Sequence, residues 1–90
     1  MTLSEFGRHV IRRDLIVQPI DDRACRCYFE HVMFAESFGR CAVVTTIIGV
    51  GPTQQRMRED FVQKIRGKVA RVYDGMGAYA EYPVPDTLTV

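Results

Sequence analysis

Several features that mark specialised classes of protein are missing from this sequence. It contains no tryptophan and only three cysteines, and its net charge is +1. No basic stretch followed by an apolar run opens the chain, so the sequence predicts no secretory signal. No apolar run approaches the roughly 18 residues that a membrane-spanning helix needs. We therefore expect free thiols and a cytoplasmic location rather than a disulfide-rich or membrane-spanning protein.

The composition is that of an ordinary folded domain. Hydrophobic residues make up 47% and charged residues 26% of the 90 residues, which is close to the globular average. A chain of this length forms a single domain, which we place at residues 1–90. Two prolines near the end predict that residues 83–90 form an extended tail.

The first part of the chain predicts a short helix and two strands. Thr2-Leu3-Ser4-Glu5 has the spacing of a capping box, and the residues after it predict a helix over residues 3–12. Residues 15–20 predict a strand, and Pro19, which has no N–H to donate, places it at a sheet edge. Residues 23–35 predict a second strand.

A hairpin is predicted to join this second strand to a third. Ser37-Phe38-Gly39 has the pattern of a three-residue loop with glycine in the left-handed conformation. That register places Glu36 opposite Arg40 as a cross-strand ion pair. The third strand then covers residues 40–50, which are rich in valine, isoleucine and threonine.

The rest of the chain predicts one long helix. Thr53 is a suitable N-cap, and apolar residues recur at three- and four-residue spacing over residues 54–73, before Gly75. Residues 78–82 predict a short fourth strand. The fold class is therefore α+β: a three- or four-stranded antiparallel sheet with a long C-terminal helix on one face and a short N-terminal helix, in the order α-β-β-β-α.

The predicted sheet is apolar on both faces, which is the most informative feature of the sequence. One helix covers one face, so the other needs a different cover. We expect the second face to be an interface with another protein copy or partner, formed by Tyr28, Val32, Phe34, Val44 and Ile48. The alternative is that the N-terminal helix and the tail cover this face.

The residues with potential for chemistry form no recognisable site. Cys25, Cys27, Cys41 and His31 are zinc-ligand types, but the predicted strands keep them apart, so we expect buried thiols and no metal. His31 has no nucleophile and no orienting carboxylate within predicted reach. We therefore expect no catalytic residue and no cofactor, and an enzyme using His31 is the third hypothesis.

One junction resembles a known family. The element order and Gly49-x-Gly51-x-Thr53 at the start of the last helix resemble the double-stranded-RNA-binding domain over residues 3–74. In that family lysines at the start of the last helix bind phosphates, and the residues here are Gln54, Gln55 and Arg56. The resemblance implies an RNA-binding surface on that helix.

The sequence therefore indicates two possible functions from different classes. The favoured one is a small non-enzymatic binding or assembly protein that acts through protein–protein contacts and self-associates. Such chains are typical of accessory proteins of phages and mobile elements. The alternative is a nucleic-acid-binding module whose contacts are Arg56, Lys64, Lys68 and Arg71, because residues 53–74 carry six basic and three acidic side chains.

Overall fold

The computed structural model describes residues 1–90 and has an α+β fold. A short α-helix continues as a π-helix, a second helix lies in the middle of the chain, and seven strands form two antiparallel sheets. No helix is both long and apolar enough to cross a membrane. The elements are α1 (Leu3–Glu5) with the π-helix Phe6–Ile11, β1 (Leu15–Asp21), β2 (Ala24–Phe29), β3 (Val32–Ala35), β4 (Val44–Thr45), β5 (Gly49–Gly51), α2 (Gln54–Ile65), β6 (Val69–Tyr73) and β7 (Tyr79–Pro83).

The N-terminal helix begins at the predicted capping box. The Glu5 N–H donates to the Thr2 hydroxyl and the Thr2 N–H donates to Glu5 Oε1, each at 3.1 Å. These bonds satisfy two donors that the first helical turn would otherwise leave free. The π-helical part ends at Arg12, whose backbone is left-handed (φ 54°).

Two sheets are present, where the sequence predicts one. The first has the strand order β1-β2-β5, and the second has the order β4-β3-β6-β7. β1 is the edge strand that Pro19 predicts. Helix α2 packs against β5 and β2 on one face of the first sheet.

The division into two sheets occurs at Glu30 and His31. The sequence predicts one strand over 23–35, but these two residues form a turn in which His31 is left-handed (φ 58°). Cys27 and Phe29 point into the core before the turn, and after it Val32 and Phe34 do so as well. The spacing of three between 29 and 32 breaks the two-residue alternation of a strand, as a bulge does.

The predicted three-residue hairpin loop is longer in the structure. Ala35 pairs with Val44, so the connection from β3 to β4 covers residues 36–43 and Glu36 is not paired with Arg40. The predicted register is based on the local turn pattern alone. The loop instead folds back over the second sheet, where Gly39 binds side chains of β6 and β7.

The long C-terminal helix that the sequence predicts over residues 54–73 is not present in the structure. Helix α2 has 12 residues and lies in the middle of the chain. It ends before Gly67, which is left-handed (φ 72°), and residues 69–73 form β6. Val69 and Val72 continue the helical spacing by coincidence, and four successive buried residues show that β6 is a central strand.

One core joins the two sheets and both ends of the chain. Phe61 of α2 is fully buried and contacts Phe29 from the first sheet and Phe34 from the second, with ring centroids 5.5 and 6.2 Å away. The tail also belongs to this core, because Leu88 is fully buried and the Leu3 N–H donates to the Thr89 carbonyl at 2.7 Å.

Candidate protein interface

The face of the first sheet that points away from α2 carries apolar side chains, most of them half-buried. Ile16 pairs with Tyr28, and both lie on the side opposite to the buried Cys27. Ile48 belongs to the same side, because its neighbour Ile47 packs against the core and Ile48 does not. We call this surface the outer face and define it by Ile16, Gln18, Arg26, Tyr28, Ile48 and Val50.

The middle of the outer face contains one polar pair. Arg26 lies between Gln18 of β1 and Val50 of β5 in the sheet register. Its Nε and Nη2 donate to Gln18 Oε1 at 3.1 and 3.0 Å. Val50 is 37% exposed and Ile20, at the bulge that ends β1, is 50% exposed. The outer face thus has apolar side chains around one guanidinium, that of Arg26, which keeps its charge and forms no salt bridge.

Proline blocks one edge of this sheet. The Glu30 N–H donates to the Asp14 carbonyl at 3.4 Å, which makes residues 14 and 30 a hydrogen-bonded pair. Such pairs alternate along an antiparallel ladder, so the nitrogen of Pro19 points away from β2, toward the open edge. The edge therefore lacks a donor where an added strand would need one.

A carboxylate closes the other edge. The Val50 N–H of β5 donates to Asp60 Oδ2 at 2.9 Å, and Lys64 Nζ lies 2.8 Å from the same oxygen. Burial opposes ionisation of Asp60, but the hydrogen bonds from Lys64 and from the Val50 N–H outweigh it and lower the pKa of the carboxyl group. Both edges of the sheet are therefore unfavourable for strand addition, whereas its outer face is open.

The five residues predicted to share an interface occupy three places. Tyr28 and Ile48 lie on the outer face. Val32 and Phe34 are 6% and 1% exposed and belong to the core, because the turn at 30–31 reverses the alternation of side chains. Val44 pairs with Ala35 on the second sheet and is half-buried.

The second sheet covers its own outer side with the 36–43 loop. Arg71 Nη2 donates to the Gly39 carbonyl at 2.7 Å, and the Gly39 N–H donates to Glu81 Oε1 at 3.1 Å. The guanidinium of Arg71 lies 3.6 Å from Glu81 and 4.1 Å from the centre of the Tyr79 ring. These contacts hold the loop on the sheet.

The basic residues of the nucleic-acid hypothesis do not form a ridge. Lys64 is paired with Asp60, and Lys68 lies after the end of α2 and is paired with Glu36. Arg71 is buried in β6. Arg56 is exposed in the first turn of α2, so the four side chains are divided between a helix, a turn and a strand.

Gly49 and Gly51, in the junction that resembles the RNA-binding family, have a packing role in this structure. A Cβ added at Gly49 would lie 2.4 Å from the Phe61 Cβ, and one at Gly51 would lie 2.6 Å from the Met57 nitrogen. Their absence of side chains lets β5 approach α2 closely. Thr53 caps the helix as predicted, accepting from the Arg56 N–H at 3.1 Å.

The cysteines and His31 do not converge. Cys25 donates to the Gly51 carbonyl at 3.4 Å, Cys27 is fully buried, and Cys41 is exposed on the loop. Burial raises the pKa of the Cys27 thiol, which disfavours its thiolate. The His31 side chain is 65% exposed and lies 3.7 Å from Glu30, outside both cavities of the structure.

Comparison with known proteins gives no match to a family model, a curated protein or a solved structure. The outer face therefore has to be interpreted from its own geometry. Sequence reasoning missed Ile16 and Val50 as members of this surface, because their positions depend on the pairing of β1 and β5 with β2.

Proposed function

We propose that this chain is a small non-enzymatic assembly protein that acts through protein–protein contacts and associates with a second copy through its outer face. The observation that carries the proposal is the apolar character of the outer face, where Ile16, Tyr28 and Ile48 are half-buried and Val50 is 37% exposed. Tyrosine with aliphatic neighbours is typical of the centre of protein interfaces. A single surface that meets itself forms a closed two-fold dimer.

Association through side chains fits this sheet better than strand pairing does. Pro19 and Asp60 disfavour addition of a strand at either edge, so the two copies meet face to face. Arg26 is the one charged side chain of the outer face and keeps its charge when it donates to Gln18, so the two copies must meet with their Arg26 side chains offset from each other.

The size of the outer face predicts a weak dimer. Strands about 4.8 Å apart and a seven-residue β1 at about 3.3 Å per residue give a surface of about 10 by 23 Å. A stable interface buries about 800 Å² on each partner. We therefore expect weak, concentration-dependent association rather than obligate dimerisation.

Sedimentation velocity over a range from low micromolar to near-millimolar protein tests the proposal. The wild-type chain should sediment faster as its concentration rises, and Tyr28→Glu should remain monomeric because two like charges would face each other across the two-fold axis. Met76→Glu, at a site that is 89% exposed on the β6–β7 turn, is the matched control and should associate like the wild type. A wild-type chain that stays monomeric at all concentrations would refute self-association.

The nucleic-acid alternative has less support, because Lys64 and Lys68 are neutralised by acidic partners and Arg71 is buried. A duplex RNA titration at low salt separates it from the assembly proposal, since phosphate contacts are strongest there. Tight binding that is lost in Lys64→Glu with Lys68→Glu would favour the alternative.

A further inference from the structure

A second surface, separate from the outer face, has a different chemistry. A cleft of about 460 Å³ lies between the N-terminal helix and the start of β1. Its apolar wall includes Leu3, Leu15 and Phe29, and its polar wall includes Arg8, Arg12 and Arg13 with one acid, Asp14. Its volume is within the range of small-molecule sites.

The three arginines of this cleft have no acidic partner. The salt bridges of the chain involve His31, Lys64, Lys68 and Arg71 and none of these three. Arg13 donates to the carbonyls of Arg12 and Tyr73 at 3.0 and 2.9 Å, which fixes its side chain. Arg8 and Arg12 donate no side-chain hydrogen bond to the protein, so their guanidinium groups are free for a ligand.

The backbone that presents these arginines is unusual. Residues Phe6–Ile11 form a π-helix, a rare conformation that occurs frequently at functional sites. Arg12 is left-handed (φ 54°), and the N–H groups of Arg12 and Arg13 both donate to the Gly7 carbonyl. A side chain other than hydrogen at Gly7 would lie 2.7 Å from the Phe29 ring, so the turn is held tightly against the apolar wall of the cleft.

We propose that this cleft binds a small phosphomonoester. Guanidinium groups bind phosphate oxygens by paired, charge-assisted hydrogen bonds, and the free Arg8 and Arg12 supply them. The organic part of the ligand lies against Leu15, which is the most exposed apolar side chain of this wall, since Leu3 and Phe29 are 1% and 3% exposed. Asp14 leaves the lining with a net charge of about +2, by counting three arginines against one acid, which matches a phosphate dianion.

Titration of the ¹⁵N-labelled chain with phenyl phosphate, followed by amide chemical shifts, tests this proposal. Saturable shifts should appear in residues 3–15 and at Phe29. Inorganic phosphate should bind more weakly and phenol should not bind, because each lacks one half of the recognised chemistry. Equal affinity for phenyl phosphate and inorganic phosphate would overturn the organic part of the assignment.

Two double variants complete the test. Arg8→Gln with Arg12→Gln should weaken phenyl phosphate binding by about tenfold or more, since charge-assisted hydrogen bonds are lost. Arg40→Gln with Arg56→Gln removes the same charge from exposed sites elsewhere and should leave the affinity unchanged. Arg8→Gln alone repeats the test without altering the left-handed residue. Equal weakening in both double variants, or no saturable shift in the wild type, would refute the site.

Discussion

The two sheets share a core but differ in how their outer sides are covered. The second sheet is covered by the 36–43 loop, which Arg71 and Glu81 hold in place. On the outer face of the first sheet, Ile16 and Ile48 beside Tyr28 are half-buried, and Val50 is exposed. A chain of this length can cover one sheet with a loop when buried polar groups anchor it. On our proposal, a second copy of the chain covers the outer face of the other sheet.

The largest expected effect tests whether the two sheets are one folding unit. Phe61→Ala removes the ring that contacts both Phe29 and Phe34, and we expect the free energy of unfolding to fall by about 3–5 kcal/mol. Phe38→Ala, at a site that is 56% exposed, should change it by less than about 0.5 kcal/mol. Denaturant unfolding monitored by two probes gives both values. Separate transitions for the two sheets would show that the core does not couple them.

A smaller effect tests the cover of the second sheet. Arg71→Met leaves the Gly39 carbonyl without its donor and Glu81 without its ion-pair partner, so the melting temperature should fall and amides of residues 36–43 should exchange faster with deuterium. Arg23→Met, at an exposed arginine in the turn between β1 and β2, is the matched control and should leave both unchanged. If Arg71 and Glu81 do not interact, the double variant Arg71→Met with Glu81→Leu will be no more stable than Arg71→Met alone.

The smallest effect concerns the turn that separates the sheets. His31 has a left-handed backbone (φ 58°), which glycine adopts without steric cost but with a greater loss of chain entropy. His31→Gly should therefore stabilise the fold slightly, by less than about 1 kcal/mol. Thermal unfolding of His31→Gly and of His31→Ala measures the difference. A more stable alanine variant would contradict the assigned backbone conformation.

The sequence predicted local structure well and long-range pairing poorly. Thr2 with Glu5 and Thr53 identify helix starts through contacts three residues apart, and Pro19 identifies an edge because of its own missing N–H. The turn at 30–31 has neither glycine nor proline, so nothing local marks it. Its conformation follows from the need to bury Phe29 and Val32 on the same side.

The positions of the predicted interface residues follow the sequence pattern only within each strand, for the same reason. Tyr28 and Ile48 follow the alternation of strands on their own sides of the turn. Val32 and Phe34 were assigned to the same face by carrying that alternation across residues 30–31. The basic cleft was not predicted from the sequence, because its shape requires a π-helix at residues 6–11. The spacing of apolar residues does not distinguish that conformation from an α-helix.

The bond between the Leu3 N–H and the Thr89 carbonyl joins two segments that are far apart along the chain. Leu88 packs in the same core as Leu3 and Phe6, so the N-terminal helix is held both by Phe29 of β2 and by residues 88–89. Closing a long loop costs entropy before the contact forms, so we expect the pairing of residues 3 and 89 to be a late step in folding.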